Sequence, residues 1–118
     1  MDSKKLVKKW FDKWIEEDFY DLPVSETFQH TSPFGTIDGK KEYVSFVEKN
    51  KDKFLGYRFE IQDEIYEKDK ACVRYRAIQG DFTLDVSEWY YIKNALIEKI
   101  IAYYHIGEIR EDRKLADK

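Results

Sequence analysis

At 118 residues, with 42% apolar and 38% charged side chains, the chain can build one core under a heavily solvated surface. No apolar run approaches the ~20 residues of a membrane-spanning helix, and a net charge of −3 offers no basic face for nucleic acid. The one cysteine, Cys72, excludes an internal disulfide and reads as a small hydrophobe within a strand. His30 and His105 show no metal-ligand spacing with it, and no glycine-rich phosphate loop is present, so neither a metal nor a cofactor is expected. Lys4 and Lys5 lead into an amphipathic pattern rather than an apolar block, so no secretory leader is expected and a reducing cytoplasm fits.

The first element is a helix. Leu6, Val7, Trp10, Phe11, Trp14 and Ile15 recur at helical spacing, lysines and acids fill the other face, and Ser3 or Asp2 caps the start. Pro23 ends the pattern, and a short turn is possible over residues 19–22. Phe28 to Phe34 reads as a strand ending at Pro33-Phe34-Gly35. Asp38 then caps a second helix whose apolar stripe is Tyr43, Phe46, Val47 and Phe54.

Four strands follow. Tyr57, Phe59, Ile61 and Ile65 alternate with polar residues, and Asp63 breaks the row in a way a bulge would explain. Ala71, Val73, Tyr75 and Ala77 alternate with Arg74 and Arg76. After a turn at Gln79-Gly80-Asp81, Phe82, Leu84, Val86, Tyr90 and Ile92 share one face with Glu88 in their midst. A buried carboxylate without a partner is too costly to keep. Glu88 is therefore neutralised beside a wet cavity, paired with Arg74 or Arg76, or bonded to a tyrosine hydroxyl. A turn at residues 93–95 leads to a last strand from Leu96 to about Ile106, and 111–118 is a charged tail. Short turns favour an antiparallel meander, and two helices before a meander give an α+β domain spanning residues 1–118. Trp89, Tyr91, Ile101 and Tyr103 make the second sheet face apolar as well, which predicts a homodimer through it.

The order of elements, together with Trp10-Phe11-Asp12-Lys13-Trp14-Ile15-Glu16-Glu17-Asp18, Thr31-Ser32-Pro33-Phe34-Gly35, Asp38-Gly39-Lys40 and Ile100-Ile101-Ala102-Tyr103-Tyr104-His105, resembles the nuclear transport factor 2-like superfamily. Within it, the chain is similar to SnoaL-like proteins of the polyketide-cyclase-like and ketosteroid-isomerase-like type over about residues 4–108. The resemblance implies a cystatin-like cone: a bent antiparallel sheet wrapped around N-terminal helices, with a cavity at the open end. Such folds host isomerases, cyclases, dehydratases and pure binding domains, so the cone implies a pocket rather than a reaction. Against the isomerase pattern, Ser32 stands where an aspartate base precedes the Pro-x-Gly turn, Trp10 stands nearest the oxyanion tyrosine, and Glu88 falls at the oxyanion acid. Serine cannot abstract a carbon-bound proton alone, so isomerase activity is not carried over.

Among candidate site residues, His30 and Glu88 are the proton-moving groups. Trp10, Ser32, Tyr90, Tyr104 and His105 are the ligand-binding ones, and the expected ligand is a small apolar molecule. A Ser32–His30–Glu88 relay can be drawn. The competing reading puts His30 on a backbone carbonyl, Ser32 on the Pro33 turn and Trp14 in the core. A non-catalytic carrier or dimeric adaptor is the alternative function.

Overall fold

The computed structural model describes residues 2–105; the 111–118 tail and the Ile106 end of the last strand lie outside the described residues. Helix α1 (Ser3–Ile15) starts at Asp2, whose carboxylate accepts the Lys5 N–H at 2.9 Å. Leu6, Val7, Trp10, Phe11 and Trp14 are buried, whereas Ile15, expected in the same stripe, ends on the surface. A 3₁₀ turn (Phe19–Asp21) then leads into β1 (Val24–Ser32).

β1 begins four residues earlier than the apolar pattern suggested, and β2 (Gly35–Asp38) folds back on it across the Pro33-Phe34 turn. Asp38, expected as a helix cap, therefore closes β2. The cap is Gly39, at φ 103°, a conformation glycine adopts without strain. Helix α2 (Lys40–Lys49) stops where the buried Asn50 side chain donates to the Phe46 carbonyl at 2.9 Å, and α3 (Lys51–Phe54) continues as a separate turn.

The meander is β3 (Arg58–Tyr66), β4 (Lys70–Gln79), β5 (Phe82–Lys93) and β6 (Leu96–Tyr103). The six strands lie in the order β2-β1-β6-β5-β4-β3. The sheet is mixed rather than wholly antiparallel, because β1 runs parallel to β6. The chain reaches β3 through α2 and α3 instead of a tight turn, and a crossover of that length allows parallel neighbours.

A bulge between Ile61 and Asp63 bends β3. It turns Asp63 outward onto Arg74, as the broken row suggested, and it also swaps the faces of everything after it. Ile65, expected inside with Phe59, stands opposite Cys72 on the outer face and is 68% exposed.

The helices pack on the inner face of the curved sheet. The Ser3 hydroxyl bonds the Glu67 carbonyl in the β3–β4 turn, so α1 starts at that end of the sheet and Trp10 and Trp14 lie further along. At the opposite end the β1–β2 turn, the β4–β5 turn and the start of β3 form a rim. The architecture is a cone-like α+β fold.

Candidate functional site

Strand pairing brings the inner residues into rows. Val73, Glu88 and Ala102 form one row across β4, β5 and β6. One residue beyond the Thr31–Ile101 pair, Ser32 continues that row on β1. The neighbouring row is Ala71, Tyr90, Ile100 and His30. Glu88 is thus fixed in the middle of an apolar sheet face, where it is 5% exposed.

Among the described residues no arginine reaches it. Arg74 bonds Asp63 and Arg76 bonds Asp85 at 2.8 Å, both on the outer face. The Tyr90 hydroxyl donates to Glu88 Oε1 in a short contact, and the Tyr75 phenol stands beside the same carboxyl. Burial pushes the Glu88 carboxyl up to about 7, while the two tyrosine hydrogen bonds pull the other way. The result is a carboxyl that carries its proton in the lower half of the neutral range and can give it up above.

Glu88 lines a cavity of about 170 Å³ that opens toward the rim. An apolar cavity of ~150 Å³ accommodates benzene, so this one has room for a small ring system. Trp10, Trp14, Tyr43, Phe59 and Tyr75 make its walls aromatic. Trp10 meets Trp14 edge-on at 5.6 Å and Tyr43 at 6.3 Å.

His30 stacks on Tyr43, with ring centroids 5.0 Å apart and 28° between planes. Its accessible surface faces the cavity. The surrounding protein strips it of bulk water and lowers its pKa to about 4, with no charged neighbour to oppose the effect. Among the described residues its ring nitrogens have no hydrogen-bond partner. The two acid–base candidates have therefore exchanged their usual ranges: the histidine stays neutral and the carboxyl titrates near neutrality.

Ser32 Oγ accepts the Phe34 N–H at 3.2 Å, the turn-capping role, and lies beside the Tyr104 phenol at the rim. Phe34 leans on Tyr104 at 6.1 Å. Trp10, His30, Ser32, Glu88 and Tyr104 all face the cavity. Tyr90 does not: it is fully buried behind Glu88 and holds the carboxyl from the side away from the hollow. His105, the last described residue, is exposed and stands outside the lining. No Ser32–His30–Glu88 relay forms, because each side chain has other neighbours and Ala102 separates the Ser32 and Glu88 strands. Tyr43, Tyr75 and Lys53 line the hollow without having been foreseen. Tyr75 carried a signal, its place on the inner face of β4, but only the β4–β5 register sets it beside Glu88.

A bent sheet closed by helices at one end, with a single carboxyl facing an aromatic hollow, defines a cone-fold pocket protein. No family model and no curated protein matches the sequence. Solved structures do match, and they share this fold, among them proteins described as nuclear transport factor 2-like and SnoaL-like. A nuclear transport factor 2-like protein of unknown function from Cytophaga hutchinsonii superposes with a TM-score of 0.74 at 19% identity, over 86% of this chain and 88% of that one. A SnoaL-like protein of unknown function from Burkholderia thailandensis gives 0.73 at 18%, over 86% and 92%. A Kribbella flavida protein with a provisional ketosteroid isomerase designation gives 0.74 at 16%, over 86% and 76%. Identities this low establish the shared fold and leave activity to the site itself. Among the described residues, no helix is long and apolar enough to cross a membrane.

Proposed function

We propose that the chain is a single-domain protein that binds a small, mainly apolar molecule bearing a carbonyl or hydroxyl oxygen. The oxygen bonds Glu88 at the inner end of the hollow, and the body packs between aromatic walls. The observation that carries this reading is Glu88 itself: buried, paired with no arginine among the described residues, held by two tyrosines and facing a cavity. In its protonated form it donates to a ligand oxygen; in its ionised form it accepts a proton. An isomerase, cyclase or dehydratase type of turnover would run through that carboxyl. His30 would serve as a neutral hydrogen-bonding group, and Tyr104 or Trp10 would polarise oxygen from the rim or wall.

The test is a panel of aryl ketones and phenols in thermal denaturation. Binding to the folded state raises Tm through a stabilisation that grows as the logarithm of one plus ligand over Kd. The expected result is a shift that Glu88→Gln and His30→Ala both diminish. A panel that leaves Tm unmoved, with no NMR shifts in the Tyr75 or Tyr43 rings, would sink the ligand reading. Turnover requires product formation that disappears in Glu88→Gln while the variant keeps its fold. Ligand shifts without turnover would instead favour the carrier.

A homodimer through the outer sheet face belongs to the same reading. Ile65, Cys72, Trp89 and Ile101 lie in one row across that face, with Tyr91 and Tyr103 on either side. Exposed apolar rows of this kind mark interfaces. A cytoplasmic setting, in which Cys72 stays a thiol, suits this face.

A further inference from the structure

The cavity wall holds one side-chain carboxyl and one ammonium, at opposite ends. Glu88 lies deep, and Lys53 lies at the rim, half-buried on α3. The six-residue step from Phe82 to Glu88 along β5 spans roughly 20 Å. Lys53 is held at the Phe82 end because the Gln79 side chain, opposite Phe82, donates to the carbonyls of Asp52 and Leu55 at 3.0 and 2.6 Å. That clamp fastens a four-residue turn over the mouth. Extended side chains of glutamate and lysine close about half of the interval, leaving on the order of 10 Å for a ligand.

Of the half-buried lysines among the described residues, Lys13, Lys40, Lys53 and Lys99, Lys53 alone lines the cavity. Lys13 is ringed by Asp18, Asp21 and Glu16, the nearest at 2.8 Å. Lys53 has no ion pair among the described residues. Its stem covers apolar rim surface, and among the described residues no carboxylate pairs with its ammonium. An unpaired cation over an apolar hollow attracts anions and discourages cations.

Resting on the ligand-binding reading above, we infer that the ligand is an amphipathic anion. Its flat apolar body fills the aromatic hollow, its inner oxygen meets Glu88, and a carboxylate at its outer end pairs with Lys53. The pairing also sets direction, since a carboxylate at the inner end would face the Glu88 carboxyl and two phenols whose protons are already engaged with it.

Three probes of one shape test this: 6-acetyl-2-naphthoate, its methyl ester, and 2-acetylnaphthalene, titrated by calorimetry against wild type, Lys53→Met and Lys53→Arg. The acid is expected to bind wild type about tenfold more tightly than its ester, the scale of one well-placed ion pair. Lys53→Met should erase that preference and leave the ester and the parent ketone unaffected; Lys53→Arg should keep it. Raised salt should weaken the acid alone. If acid and ester bind wild type equally, or the preference survives in Lys53→Met, the anionic class is wrong although the pocket stands. If none of the three binds, the pocket reading fails first, and this inference with it.

Discussion

Glu88 and Trp89 are neighbours on β5, and each sits on the face where composition alone would put the other. The acid points into the enclosed inner face at 5% exposure; the indole points out at 37%. On the inner side, sheet curvature and the helices exclude water, so a single carboxyl there acquires a pKa of about 7. On the outer side the charges are ordinary solvated pairs, Arg74 with Asp63 and Arg76 with Asp85, and the apolar row beside them lacks a cover among the described residues. The same alternation thus yields a site for small-molecule chemistry on one face and a surface for association on the other. Enclosure separates them: a polar group is informative where water is scarce, and an apolar group where water is plentiful.

The largest expected effect contrasts adjacent residues of β6. Ile100 is fully buried between His30 and Tyr90, and Ile100→Ala should cost about 3 kcal/mol in chemical denaturation. Ile101→Ala, on the outer face, should cost the isolated chain well under ~1 kcal/mol. Equal losses would mean that the outer face is as enclosed as the inner.

The second contrast is in pH dependence. Glu88 has a folded-state pKa raised from 4.5 to about 7, so its contribution favours the fold fully below 4.5 and is lost as pH rises through 7. Glu88→Gln removes that loss, and its stability relative to wild type should climb by about 3 kcal/mol between pH 4.5 and 8. Asp85, lowered by the Arg76 hydrogen bond and exposed, should show a small effect of the opposite sign in Asp85→Asn, appearing only in acid. His30, depressed to about 4 by burial, favours the fold above 6.5 and loses that contribution as pH falls through 4, so His30→Gln should flatten the acid limb. A flat Glu88→Gln difference across this range would show that the carboxyl is solvated.

Association gives the third test. Trp89→Glu should convert a dimer into monomers in sedimentation while changing the melting of the isolated chain little, because the side chain touches no inner residue. A wild type that sediments as a monomer at every concentration would remove the partner from that face.

The smallest effect belongs to the hairpin joining β5 to β6. Asn94 and Ala95 both have positive φ, 52° and 61°, the conformation of a tight primed turn. Alanine is strained there, so Ala95→Gly should stabilise by about 1 kcal/mol without touching either face.

Much of this fold was legible in the chain. Helix α1, the inner face of β5 and the outward turn of Asp63 follow from local periodicity, which backbone geometry imposes residue by residue. β2 escaped because four residues without alternation leave no periodic trace, and Asp38 was misassigned with it. Ile65 went to the wrong face because one bulge inverts the parity of all that follows. Trp10, His30, Ser32, Glu88 and Tyr104 line the cavity: strand alternation points to Glu88 and Tyr104, while the family resemblance places Trp10 and Ser32, and His30 with Ser32, there.

By itself the sequence determined the inner face of β5 and that an acid stands in it, since those are consequences of a 2-residue period unbroken by a bulge before Tyr91. Tertiary structure alone decided that Tyr75 and Tyr90 hold that acid, that His30 stays neutral against Tyr43, and that Lys53 waits at the rim. Those facts depend on strand register and on where a helix ends, and pairings between distant segments leave no period in the chain that forms them.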